Sequence, residues 1–257
     1  MLHFERHGTG AGLPLIFVHG FCETSEIWKD FVKPLSLSKT IFTVDLPGFG
    51  KSPALDGPFS IDQVADAVVQ WLREQSLTES IFIGHSLGGY VCLSLAARYP
   101  DMVKGLVLFH STAFPDTPEK KTNRYRIISF VKQNGVLPFI DTFVPGLFYD
   151  ASGPAAREVH RIARETNLNS LIDYTAAMRD RSGHPEVLES RQLPKLIIAG
   201  KNDQSVPIDM SREMAKISQN YRYLELDNNA HMGLFEATDD TRAVIMSFSN
   251  QIPGIKL

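Results

Sequence analysis

The sequence predicts an α/β protein: a mostly parallel sheet with helices on both faces, interrupted late in the chain by a helical insertion. Three observations predict it. Strand-like runs alternate with helix-period segments over residues 1–110 and again over 192–257. The runs are continuously apolar, as in Leu13-Pro-Leu-Ile-Phe-Val-His19 and Lys195-Leu-Ile-Ile-Ala-Gly200, which suits strands covered on both faces. Over residues 111–191 strand-like runs vanish, and helix-like segments are separated by breaks at Gly135, Pro138, Pro145, Gly146, Gly153 and Pro154.

In chain order, residues 2–6 suit a first edge strand, and the apolar run 13–19 a buried one. A helix is expected near Thr24–Ser36, because Ile27, Trp28, Phe31, Val32 and Leu35 recur at helical spacing. The strand Thr40–Asp45 leads into the turn Leu46-Pro-Gly-Phe-Gly-Lys-Ser52. Ser60 and Gln63 have the spacing of a capping box, opening a helix with Ile61, Val64, Val68 and Leu72 on one face. A strand into Ser86, a helix to Tyr99 and a strand Gly105–His110 follow. In the insertion, Leu137, Ile140, Val144 and Leu147 share a helical face, as do Leu168, Leu171, Ile172 and Thr175. Beyond Lys195–Gly200 come a helix after Pro207, the strand Tyr221–Leu226 and a last helix around Asp239–Asn250. The expected division is therefore a core of 1–110 and 192–257 with a helical cap of 111–191.

A chain of 257 residues accommodates one large α/β domain and a substantial core without metals or disulfides. Its net charge of −3 offers nothing to a nucleic acid or a membrane surface. The two cysteines, Cys22 and Cys92, form no spaced framework, so a reducing compartment is the simpler expectation. No run approaches the roughly 18 apolar residues of a membrane span, and the N-terminus lacks the basic start and apolar stretch of a signal peptide. A cytoplasmic protein, monomer or homodimer, is expected.

The segment Ile81-Phe-Ile-Gly-His-Ser86-Leu-Gly-Gly89 carries the chemistry. It reads as a strand, a tight Gly-x-Ser-x-Gly turn and a helix, which exposes the serine at the end of a sheet. The helix start offers unpaired N–H groups and a positive dipole end. A hydroxyl is a weak nucleophile at neutral pH and needs a base, which in turn needs an orienting acid. Asp203 follows the strand ending at Gly200, and His231 lies in the loop before the last helix. Asp45, Asp209 and Asp227 compete for the acid role, but Asp45 precedes a Pro-Gly turn, Asp209 lies within a helix, and Asp227 is too near His231 in sequence. The oxyanion donors are expected at the N–H of Leu87, the residue after the nucleophile, and of Phe21, in the loop after an early strand. His19 is read as a structural residue holding that loop. Neither Cys22 nor Cys92 has the partners of a zinc site, and the reading calls for no metal and no cofactor.

With His19-Gly20-Phe21, Asp45-Leu-Pro-Gly-Phe-Gly-Lys-Ser52, Gly84-His-Ser-Leu-Gly-Gly89, Asp203 before Val206-Pro207, and His231 before Phe235-Glu236, the chain resembles the α/β-hydrolase superfamily in its branch of small lidded serine esterases. The order Ser86, Asp203, His231 is that family's order. The resemblance implies an eight-stranded, mostly parallel sheet, with the cap inserted after the sixth strand. It implies hydrolysis of small to medium carboxylic esters through an acyl-enzyme on Ser86. Serine at the nucleophile position disfavours dehalogenase and epoxide hydrolase readings. A carbon–carbon bond hydrolase or lyase-like enzyme acting on an acidic substrate is the alternative, and cap arginines facing Ser86 would favour it. A promiscuous haloperoxidase activity and a non-catalytic ligand-binding scaffold are more distant. Cap aromatics Phe114, Tyr125, Phe130, Phe139, Phe143, Phe148 and Tyr149 are expected mostly to glue the cap to the core, with two or three lining an acyl pocket. Arg124 and Arg126 are read as solvated charges on a helix face.

Overall fold

Residues 1–253 are described by a computed structural model. The strands are β1 (Phe4–His7), β2 (Leu15–Val18), β3 (Ile41–Val44), β4 (Ser80–His85), β5 (Val103–Phe109), β6 (Lys195–Gly200) and β7 (Tyr221–Leu226). They form one sheet in the order β1-β3-β2-β4-β5-β6-β7. All pairings are parallel except that of the edge strand β1 with β3. The side chains of β2, β3, β4 and β6 are buried throughout, which is why their sequences are continuously apolar rather than alternating.

The helices are α1 (Lys29–Val32), α2 (Ile61–Glu74), α3 (Leu87–Arg98), α4 (Pro118–Asn134), α5 (Val136–Phe143), α6 (Pro154–Ala163), α7 (Leu168–Asp180), α8 (Glu186–Glu189), α9 (Ile208–Ile217), α10 (Gly233–Glu236) and α11 (Thr238–Gln251). Helix α2 opens on the Ser60–Gln63 capping box with both reciprocal bonds made, and it buries Ile61, Val64, Val68 and Leu72 on the sheet. Helix α3 is buried from Leu87 to Ala96, as befits a helix that is apolar all round. Among the described residues, only helices lie between β5 and β6, from α4 to α8.

Among the described residues, three expectations are corrected. The sheet has seven strands, not eight. A single strand, β1, precedes β2, and the short glycine-rich link between them, with Gly8 and Gly12 at positive φ, leaves no chain for another. The helical segment accordingly follows the fifth strand, not the sixth. The single helix expected over Thr24–Ser36 is a 3-10 turn at Ser25–Trp28, one α-turn, and a second 3-10 turn at Leu35–Leu37. Pro34 has no N–H to continue the helix, while Asp45 Oδ1 accepts the otherwise free Ser25 N–H at the segment's start, at 2.7 Å.

The register brings the chemistry together. Val18 lies opposite Gly84, Gly84 opposite Leu108, and Leu108 opposite Ile197. The loops that leave the carboxyl ends of β2, β4, β5, β6 and β7 therefore open at one edge, where open α/β sheets place their sites.

Candidate active site

Ser86 stands at the apex between β4 and α3 with φ 50° and ψ −114°, a conformation that costs an L-residue on the order of 1–3 kcal/mol and persists only where the surroundings impose it. Three bonds impose it. Ser86 N–H donates to Phe109 O at 2.9 Å. Ser86 O accepts Gly89 N–H at 2.9 Å and Ser111 Oγ–H at 2.7 Å. The flanking glycines are required by contact: a Cβ on Gly88 would stand 2.4 Å from Val18 O, and one on Gly84 would stand 2.5 Å from Gly88 O. The Gly-x-Ser-x-Gly spacing thus lets the start of α3 sit directly on β2 and β4.

Asp203 and His231 meet on the same edge. His231 Nδ1 lies 2.7 Å from Asp203 Oδ2, and both residues are buried. Asp203 Oδ1 accepts the N–H groups of Ser205 and Val206 at 2.8 and 2.9 Å. A second histidine, His110 at the end of β5, places its Nδ1 3.1 Å from the same Oδ2. Burial alone would raise the Asp203 carboxyl, but the two imidazoles outweigh it and hold it well below the usual carboxylate range. Burial pushes His110 down to about 4, so at neutral pH it is uncharged, with its proton on Nδ1 facing the carboxylate. Its Nε2 has no partner among the described residues.

The loop after β2 is fixed by its own buried groups. His19 Nδ1–H donates to Gly20 O at 2.8 Å and His19 Nε2 accepts Leu46 N–H at 3.0 Å. Both ring nitrogens are used by a neutral ring, and burial lowers its pKa accordingly. Glu23, also buried, accepts Gly20 N–H at 2.6 Å and contacts His85 Nδ1 at 3.0 Å. These contacts fix the chain on either side of Phe21, and the end of β2 meets the first turn of α3, where Val18 O and His19 O face Gly88. Among the described residues, neither Phe21 N–H nor Leu87 N–H has a hydrogen-bond acceptor. Burial pushes the neighbouring Cys22 thiol up, away from thiolate reactivity.

The three competing acids are engaged elsewhere. Asp45 accepts Ser25 and Lys51 N–H, while Asp209 and Asp227 pair at the surface with Arg212 and Lys201. His110, Ser111, Glu23 and His85 carry no role in the sequence reading. His85 stands in the quoted motif, and a histidine beside the serine was the available signal.

The helical segment also differs from expectation. Arg124 is not a solvated charge: its Nε donates to buried Asp116 at 3.1 Å, and Arg181 takes the other carboxylate oxygen at 2.7 Å. Arg126 is exposed, as are Tyr125, Phe130 and Tyr149. Phe139 and Phe143 pack on Phe21, at centroid distances of 6.4 and 5.9 Å. Leu147 O accepts His231 N–H at 2.9 Å, so the segment touches both Phe21 and His231. A 410 Å³ cavity lies between this segment and helices α2 and α3, lined by Phe59, Tyr90, Thr112, Arg181 and His184 among others. Ser86, Asp203 and His231 are not on its wall.

His110, Asp203 and His231 present possible metal-ligand atoms within 4.8 Å of one another. Both imidazoles already use Nδ1 toward one carboxylate oxygen. A cation there would displace the two histidine–aspartate bonds, so the donor set suits a proton-bridged acid and base better than a metal.

A family model described as alpha/beta hydrolase fold matches residues 14–134. The chain is 28% identical over 245 residues to a pimeloyl-[acyl-carrier protein] methyl ester esterase of Neisseria meningitidis serogroup C, covering 90% of this chain and 91% of that one. It is 37% identical over 109 residues to a human (lyso)-N-acylphosphatidylethanolamine lipase, covering 41% of this chain and 32% of that one. In that match, as in others of its kind, the aligned part spans about a third of the relative's length. The structure of a thermophilic esterase from Thermogutta terrifontis superposes with a TM-score of 0.91 at 25% identity, covering 98% of this chain and 94% of that one. The chain has the α/β-hydrolase fold, and esterases are among the proteins it is similar to.

Proposed function

We propose that the protein is a serine hydrolase, a carboxylesterase for small to medium carboxylic esters. The observation that carries this reading is the buried Asp203–His231 pair at 2.7 Å on the same sheet edge as a serine held in a strained turn. His231 takes the Ser86 proton as the hydroxyl attacks the acyl carbon. Asp203, ionised and saturated with donors, fixes the Nδ1–H tautomer so that Nε2 is the basic nitrogen. The N–H groups of Phe21 and Leu87, free of other acceptors, receive the tetrahedral oxyanion; one such donor is typically worth about 3–4 kcal/mol. The alcohol leaves with the proton from His231, and water then releases the acid by the reverse sequence.

The helical segment 111–191 acts in this reading as the cap. Its Phe139 and Phe143, stacked 5.0 Å apart, form an apolar wall over Phe21, which favours an apolar acyl group. The carbon–carbon hydrolase alternative draws less support, because Arg124 and Arg181 are both spent on Asp116. The near-full-length likeness to an esterase supports ester hydrolysis. The test is hydrolysis of p-nitrophenyl esters from acetate to palmitate. Activity is expected to peak at short to medium chains and to fall by roughly 10⁴-fold or more in Ser86→Ala. Equal activity in wild type and variant, or none at any chain length in folded protein, would contradict the proposal.

A further inference from the structure

His85 and Glu23 are buried in the sheet edge beside Ser86 and take no part in the proton transfers above. Their hydrogen bonds define their charges. His85 Nδ1 lies 3.0 Å from Glu23 Oε2, and His85 Nε2 lies 2.9 Å from His231 O. A carbonyl can only accept, so Nε2 carries a proton. Glu23 Oε2 also receives Gly20 N–H, at 2.6 Å. With Oε2 already accepting Gly20 N–H, and with each buried charge stabilising the other, the proton shared by Glu23 and His85 belongs on Nδ1. The ring is therefore an imidazolium and the carboxyl a carboxylate, both out of water.

We propose that Glu23 and His85 are positioning residues for the serine chemistry: a buried ion pair that ties the oxyanion loop at Gly20, the nucleophile turn at Ser86 and the base loop at His231 into one rigid unit. The tie joins residues 62 positions apart on one side and 146 on the other, and no other side chain of the site reaches all three loops. Burial disfavours both charges, yet each offsets the other: the Glu23 carboxylate raises His85 above its ordinary value, and His85 lowers Glu23. The other titratable groups around the pair are His19, which faces Glu23, and His231, His110 and Asp203, which face His85. Trp28 and Phe109 wall off the ring, at centroid distances of 6.3 and 6.0 Å. Space is set by the same pair, since a Cβ on Gly20 would stand 2.8 Å from both Glu23 Oε2 and His85 Nδ1.

The inference rests on the serine-hydrolase reading for its kinetic consequence but not for its protonation state, and the experiment separates the two. In ¹⁵N-labelled full-length protein, the His85 ring, assigned through its backbone, is expected to show two protonated nitrogens from pH 6 to pH 8, in wild type and in Ser86→Ala. That pattern is expected to be lost in Glu23→Gln. A neutral His85 ring at pH 7 overturns the proposal, whether or not the protein hydrolyses any ester. On a p-nitrophenyl ester, Glu23→Gln and His85→Gln are expected to lower kcat by about 10- to 100-fold, the scale of a small misplacement of reacting groups, with KM nearly unchanged. The double variant is expected to lose no more than the worse single one, because both break the same tie. Folded single variants with kcat within about twofold of wild type, or losses that multiply, would overturn the positioning role; a merely structural pair would lower Tm and leave kcat of the folded molecules intact. If the single variants do not fold, the wild-type resonances decide. A wild type that takes neither ester nor phosphonate on Ser86 counts against the serine-hydrolase reading alone.

Discussion

Asp203 receives four hydrogen bonds on two oxygens, two from backbone and two from histidines. Its ionisation is thereby secured, and His231 is left a single productive tautomer. His110 has the more instructive environment. Its backbone φ is 49°, its ring is fully buried, and burial holds its pKa at about 4, against an ordinary 6.5. Between those two values the unfolded chain binds a proton at this position that the native chain does not. Stability therefore falls as pH drops from about 6.5 to about 4, by about 3 kcal/mol in all from this group. Asp203, whose folded pKa is depressed, keeps its contribution through this window and loses it only at lower pH. His110→Asn retains an N–H for the carboxylate and suits a positive φ, but it cannot titrate. Urea unfolding between pH 7 and pH 4 should show a flatter stability profile in His110→Asn than in wild type. Parallel profiles would place the acid sensitivity elsewhere.

Among elements, α3 is packed closely on β2 as it leaves β4. The first turn of α3 rests on β2 at Gly88, where both Val18 O and His19 O lie within 2.6 Å of a would-be Cβ. Backbone cannot yield as a side-chain tip can. Gly88→Ala is expected to destabilise by about 2–3 kcal/mol, the upper range for overpacking, and to displace Leu87 N–H from the oxyanion site. Gly146→Ala, with nothing within 4 Å, is the matched control and should leave Tm unchanged in a thermal melt. An unperturbed Gly88→Ala would mean that α3 sits farther from β2 than described. The elements legible in the sequence are those fixed by local pattern. Lys195–Gly200 and Tyr221–Leu226 are continuous runs whose bounds agree with β6 and β7, and the Ser60–Gln63 box is a contact between near neighbours. The broken helix at 25–37 was not legible in the apolar spacing, which reads alike through α and 3-10 turns; the local signal was Pro34, which cannot continue a helix.

At the scale of the whole molecule, the site is a product of sheet order. The Asp203–His231 contact was legible because each residue follows a recognisable strand, and the parallel register brings Ser86 to the same edge. The groups that support them were not, since the partners of His85 and His110 lie 62, 146 and 93 residues away, and no local spacing records such a pairing. Likewise Arg124 reads as a surface charge until Arg181 and Asp116 are folded against it. The helical segment is joined to the core at the points that matter for chemistry: Phe139 and Phe143 on Phe21, Leu147 O on His231 N–H, and Tyr149 N–H on Glu236, whose other oxygen holds Ala230 N–H in the base loop.

The central claim is that Ser86 is acylated by ester substrates. It is tested most directly by acid-quenching the enzyme in the first turnovers of p-nitrophenyl butyrate and measuring the mass of its peptides, beside Ser86→Ala and His231→Ala. A butyryl group is expected on the peptide containing Ser86 in wild type and on no peptide of either variant. Turnover with an unmodified Ser86 peptide, or acyl transfer to another side chain in the Ser86→Ala protein at the wild-type rate, would contradict it.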